Sequence, residues 1–103
     1  MKQRYTETDL KALIKEYLDL RGIFHFPLTQ GLGSYRGLPD RVMHYEGRVH
    51  YLEIKKPNGV LSAYQQAFQE QCQGDGISYH VIKSLADLAE ILGDLSIYVD
   101  SKS

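Results

Sequence analysis

Apolar residues recur at Leu10, Leu13, Ile14, Tyr17 and Leu18 with the three-and-four spacing of an amphipathic helix. Thr6 is placed to cap it, Asp9 stands at the third helical position, and Gly22 is placed to end it. The pattern then changes to short extended runs. Ile23-Phe24-His25-Phe26-Pro27 reads as a strand stopped by proline. Residues 29–39, with Gly31, Gly33, Gly37 and Pro39, read as a loop. Two further runs, Arg41–Tyr45 and Arg48–Lys55, flank Glu46-Gly47, and this predicts a β-hairpin whose second strand stops at Pro57-Asn58-Gly59. A second helix starts at Ser62, with Gln65 completing a capping box, and runs to about Gly74 or Gly76. Residues 77–82 read as a strand, and Ser84 caps a third helix carried by Leu85, Leu88, Ala89, Ile91 and Leu92 and ended by Gly93. The tail from Asp94 reads either as a brief strand over Ser96–Val99 or as a fraying end.

The predicted order is helix, strand, strand, strand, helix, strand, helix. That order makes an α/β fold in which helices flank a mixed β-sheet. The 62–74 helix can serve as a right-handed crossover that sets strand 77–82 parallel to strand 48–55. At 103 residues the chain has the size of one small domain, with a core over about 6–93 and a tail from 94 to 103.

The hairpin register has a chemical consequence. If Glu46-Gly47 is a two-residue loop, Tyr45 pairs with Arg48 and every later pair keeps the same sum. Asp40 then falls opposite Glu53, thirteen positions away. A four-residue loop keeps this register, whereas a three-residue loop shifts it by one. Opposed residues share a face of the sheet, and Lys55, two positions beyond Glu53, shares it too. His44 falls on the same face, and Lys56 on the other. Like charges placed opposite one another are destabilising, so two carboxylates here want a cation. A hard divalent ion suits carboxylate oxygens, with Mg2+ the leading candidate.

Each residue also has an ordinary reading. Asp40 suits a turn after Pro39, and Glu53 could be a solvent-facing strand residue. Glu53, however, lies between Leu52 and Ile54 in a mostly apolar strand, where an unpaired carboxylate would be unfavourable. Glu7 could serve the helix N-terminus or the site. Lys55 and Lys56 could extend past the sheet edge. Gln65 could act as capping partner and site residue together. Tyr35 and Arg36 in the glycine loop are available for phosphate or base contact.

Composition excludes several classes. The net charge of −1, with 12 Lys and Arg against 13 Asp and Glu, is not that of a general polycation. Phosphate contacts would therefore come from a local group: Arg36, Arg41, Lys55, Lys56 and Lys83. The single Cys72 cannot form an intramolecular disulfide and fits a reducing cytoplasm. No apolar run is long enough to span a bilayer, and the start lacks the apolar core of a signal peptide. Gly31-Leu32-Gly33 lacks the third glycine of a dinucleotide fingerprint, there is no P-loop, and the four histidines show no zinc spacing.

Gly37-Leu38-Pro39-Asp40 followed by Glu53-Ile54-Lys55 resembles the Pro-Asp…(Asp/Glu)-x-Lys nuclease signature. With Glu7 on the first helix and Gly59-x-x-Ser62-x-x-Gln65, the pattern is similar to the virus-type replication-repair nuclease domain, VRR-NUC, over about residues 6–93. The resemblance implies a restriction-endonuclease-like fold and a Mg2+- or Mn2+-dependent phosphodiesterase. It implies metal ligation by Asp40, Glu53 and the backbone carbonyl of Ile54, with Glu7 nearby or bridging through water. Lys55 would be the catalytic lysine and Gln65 a supporting site residue. Small members of this kind imply a homodimer that cuts branched DNA such as Holliday junctions, in a bacterial or virus-infected cell. A glutamine often seen after the helix-one glutamate is Lys11 here. Two other classes fit the same chain: a nucleic-acid-binding module that keeps the fold without the chemistry, and a protein-interaction domain with ordinary surface carboxylates.

Overall fold

The computed structural model describes residues 6–94. The stretch Ser96–Val99 lies outside the described residues. Helix α1 spans Glu7–Leu20, strands β1, β2 and β3 span His25–Pro27, Arg41–Tyr45 and Arg48–Ile54, helix α2 spans Ala63–Asp75, strand β4 spans Ser78–Ile82, and helix α3 spans Leu85–Ile91. The expected order of elements is observed. β1 covers only the last three residues of the expected 23–27 run and ends on Pro27; it is an edge strand, where a missing N–H is tolerated.

The helix starts follow local side-chain chemistry. Thr6 Oγ1 accepts the Asp9 N–H at 3.0 Å, and Asp9 Oδ2 accepts the Thr6 N–H at 3.1 Å. Ser62 Oγ accepts the Gln65 N–H at 3.2 Å, and Gln65 Oε1 accepts the Ser62 N–H at 2.8 Å. Each reciprocal pair satisfies donors that the first helical turn leaves unmet.

The four strands form one sheet in the order β1-β2-β3-β4, antiparallel for the first two pairs and parallel for the last. The β2–β3 register runs from Tyr45↔Arg48 to Arg41↔Leu52, as a two-residue loop requires. Glu46 and Gly47 both have positive φ, 52° and 75°, which is the backbone of a type I′ turn. The loop conformation thus determines which side chains of β3 face which helix.

Alternation divides the sheet. Met43, Leu52, Ile54 and Ile82 point to one face and pack with Leu10, Ile14 and Leu18 of α1, Leu88 of α3 and Leu92, the residue that caps α3. Tyr51 and Tyr79 point to the other face, against Phe68 of α2, at ring distances of 5.1 and 6.0 Å. Glu53 follows Tyr51 by two residues and therefore lies under the start of α2.

Gly37 brings the glycine loop against that same helix start. A Cβ there would stand 2.3 Å from the Tyr64 carbonyl oxygen, and φ is +85°. Only glycine meets both conditions without displacement. Gly37→Ala is expected to destabilise the protein by at least about 2 kcal/mol, read by urea unfolding, since a strained backbone and a backbone clash act together. An unchanged midpoint would show that the loop moves freely from α2.

Candidate metal centre

Glu53 is 3% exposed, held in the middle of the sheet by its neighbours in β3. Its Oε2 accepts from Gln65 Nε2 at 3.1 Å and lies 3.4 Å from Lys55 Nζ. Its Oε1 is buried with no hydrogen-bond partner. The expected proximity of Gln65 to the Glu53–Lys55 group is therefore realised, and Gln65 caps α2 with one end of its amide while holding Glu53 with the other.

Asp40 approaches from the start of β2, by a route that the ideal register does not describe. Its N–H donates to Leu52 O at 3.0 Å, although Leu52 is already the partner of Arg41. Two successive residues thus meet one residue of β3, the arrangement of a β-bulge, so Asp40 does not sit directly opposite Glu53. Two neighbouring features account for the departure. Pro39 has no N–H to continue the ladder, and the Asp40 carbonyl is held by the Leu28 N–H at 2.9 Å. The carboxylate is turned onto β3, where Oδ2 accepts the Ile54 N–H at 2.7 Å. It is the Ile54 amide that Asp40 engages.

Electrostatics tie the two carboxylates together. Burial, and then the Asp40 charge, push the Glu53 pKa up to about 7, while the charge and hydrogen bond of Lys55 and the charge of Lys11 pull against the rise. Lys11 Nζ lies 3.1 Å from Asp40 Oδ1 and 3.4 Å from Glu7 Oε2. Burial lowers the Lys11 pKa, but the hydrogen bonds and charges of Asp40 and Glu7 outweigh this and leave it raised. Glu7 therefore reaches the group through Lys11.

The donor set fits a hard divalent ion. Two carboxylates of the same sign lie close together, and a fully buried carboxylate oxygen lacks any donor, a condition native proteins rarely leave unmet. Among the described residues, no three His, Cys, Asp or Glu side chains converge on one point. The acidic side chains near one another on this face of the sheet are Asp40 and Glu53.

No family model matches the chain, and no curated protein matches it. A solved structure described as "VRR_NUC domain" superposes with a TM-score of 0.72 at 20% identity, covering 84% of this chain and 94% of that one. The protein has the VRR_NUC fold. A likeness at this identity speaks for the architecture and leaves the chemistry to the side chains.

In this VRR_NUC fold the cluster borders a cleft of about 600 Å3 between the glycine loop and the start of α2, lined by Asp40, Arg36, Tyr35, Tyr64 and Gln65 among others. Arg36 Nη1 donates to Tyr64 Oη at 2.6 Å, with the guanidinium 4.8 Å from the ring centroid. Tyr35 is exposed, its ring 6.1 Å from that of Phe68. Lys56 is exposed just past β3. The structure does not bring Arg41 to this cleft. Its side chain leaves β2 on the Leu52 face and bonds His25 Nδ1 at 2.7 Å, because alternation along the strand turns it away from the Glu53 face. His44 shares the Glu53 face by register but packs on Phe24, with ring centroids 4.9 Å apart.

Two residues of the site carry no clear signal in the sequence. Lys11 looks like a solvated position of an amphipathic helix. Tyr79 looks like a core aromatic, yet its hydroxyl is buried without a partner, and burial and then the Glu53 charge raise its pKa. The alternation of β4 was the available sign for Tyr79, since it puts Tyr79 on the Glu53 face. Among the described residues no helix is long and apolar enough to cross a membrane.

Proposed function

We propose that the protein is a divalent-metal-dependent DNA endonuclease that acts on branched DNA such as Holliday junctions, as a homodimer. The observation that carries this reading is the buried Glu53 carboxylate, one oxygen unpartnered, beside Asp40 and Lys55 in a VRR_NUC fold.

Asp40, Glu53 and the Ile54 carbonyl are the groups to hold Mg2+ or Mn2+, with Glu7 behind them. The bound ion would supply polarisation of a phosphoryl oxygen and a more acidic water. Lys55 lies beside Glu53, where its amine can donate to the attacking water or to charge developing on the phosphate. Gln65 holds Glu53 oriented without adding charge. Arg36, Tyr35 and Lys56 are the candidates for the DNA backbone, with Lys83 beyond them. Such contacts position the duplex without reading its sequence and weaken steeply with salt. Selectivity would then come from DNA shape. Twofold symmetry would present two such sites to two strands.

Incubation with a labelled four-way junction, a flap and a linear duplex, with and without Mg2+ or Mn2+, tests the activity. Strand cuts that need the metal and favour the junction are expected. Binding without cuts in every metal overturns the catalytic reading. Sedimentation equilibrium tests the dimer: a species of 11.8 kDa alone, with DNA present, overturns it.

A further inference from the structure

Asp40 has no free oxygen in this structure. Oδ2 is taken by the Ile54 N–H at 2.7 Å, and Oδ1 lies 3.1 Å from the Lys11 ammonium. The same ammonium lies 3.4 Å from Glu7 Oε2, one helical turn away on α1. Two carboxylates bridged by one compact cation is the arrangement that a metal ion would otherwise produce. Glu7 is correspondingly absent from any three-carboxylate group among the described residues.

We propose that the Lys11 ammonium is a built-in counter-cation of the cluster, standing between Glu7 and Asp40 where a second ion would sit, so that Glu7 acts on Asp40 through Lys11. This rests on the metal-binding reading above and adds how the site is tuned. A divalent ion that reaches Asp40 Oδ1 must share that oxygen with the ammonium or displace it. Lys11 therefore keeps the carboxylates together before metal arrives and weakens metal binding when it does. It is a positioning residue: it touches a ligand of the ion, and its charge acts against the charge of the ion at short range. A polar residue that merely packed on α1 would not have this effect.

Calorimetric titration of the whole protein with Mn2+ tests the assignment. The wild-type chain is expected to take one equivalent. Lys11→Met, which removes the charge and keeps the length, is expected to bind Mn2+ roughly tenfold more tightly. Lys11→Arg, which keeps the charge, should stay near wild type. Glu7→Gln should weaken binding in the wild-type background and have a much smaller effect in the Lys11→Met background, because its route to Asp40 is then gone. Lys11 is partly exposed, and a thermal melt confirms that each variant folds. Affinity in Lys11→Met equal to or below wild type overturns the proposal. So does a second equivalent in the wild type, or an equal Glu7→Gln loss in both backgrounds, which would make Glu7 a direct ligand. If Asp40→Asn binds Mn2+ as the wild type does, the metal reading itself fails, a result distinct from any of these.

Discussion

Asp40→Asn is expected to lower metal-dependent DNA cleavage by on the order of 10³-fold while the protein stays folded. The two effects separate because the side chain does two things with different requirements. Its hydrogen bond to the Ile54 N–H needs only an acceptor oxygen, which asparagine retains. Holding a divalent ion beside Glu53 needs negative charge, which asparagine lacks. Single-turnover cleavage of a labelled junction and a urea unfolding curve, run on the same preparation, give both readings. Cleavage within tenfold of wild type would remove Asp40 from the chemistry.

Glu53→Gln is expected to stabilise the metal-free protein above neutral pH. The carboxyl has a pKa near 4.5 in the unfolded chain and about 7 in the folded protein. Below 4.5 it is protonated in both states and has no effect. Between 4.5 and 7 the unfolded chain loses the proton first, so rising pH draws the protein toward unfolding. Above 7 the full penalty is present, on the order of 3 kcal/mol. Other groups also titrate in this range, among them His80, whose pKa is lowered by burial and then by His50. The clean quantity is therefore the difference between wild type and variant, measured by urea unfolding in a chelator from pH 4 to 8. The difference should grow in favour of glutamine across that window. Mn2+ should then restore stability to the wild type alone, since a ligand that binds only the folded state shifts the balance toward it. A difference that stays flat with pH would mean that Glu53 ionises freely in the native state.

Much of the architecture was legible because short-range chemistry sets it. Thr6 with Asp9 and Ser62 with Gln65 announce two helix starts, and the Glu46-Gly47 loop sets the pairing of β2 with β3. Alternation along the β3 run puts Lys55 on the Glu53 face, and the Ser62 cap marks where α2 starts. The bulge at Asp40 was not legible, because it depends on the Leu28 N–H, supplied from a distant part of the chain. Arg41 is a different case: it stands next to Asp40 in the sequence, yet alternation along β2 already sets it on the Leu52 face, away from the cleft. Lys11 was hidden for a different reason. Its neighbours along α1 follow a regular helical pattern, and only the tertiary packing of the helix brings its ammonium to Asp40.

Gln65 links two kinds of order that are usually independent. One end of a single amide begins a helix, and the other end steadies an acid group inside the sheet. Loosening the first turn of that helix would therefore disarm the acid, and any partner or lesion that disturbs Glu53 would be felt as fraying of the α2 start at Ser62. Activity and local folding would rise and fall together at this point, so this chain could not trade one for the other by substituting Gln65.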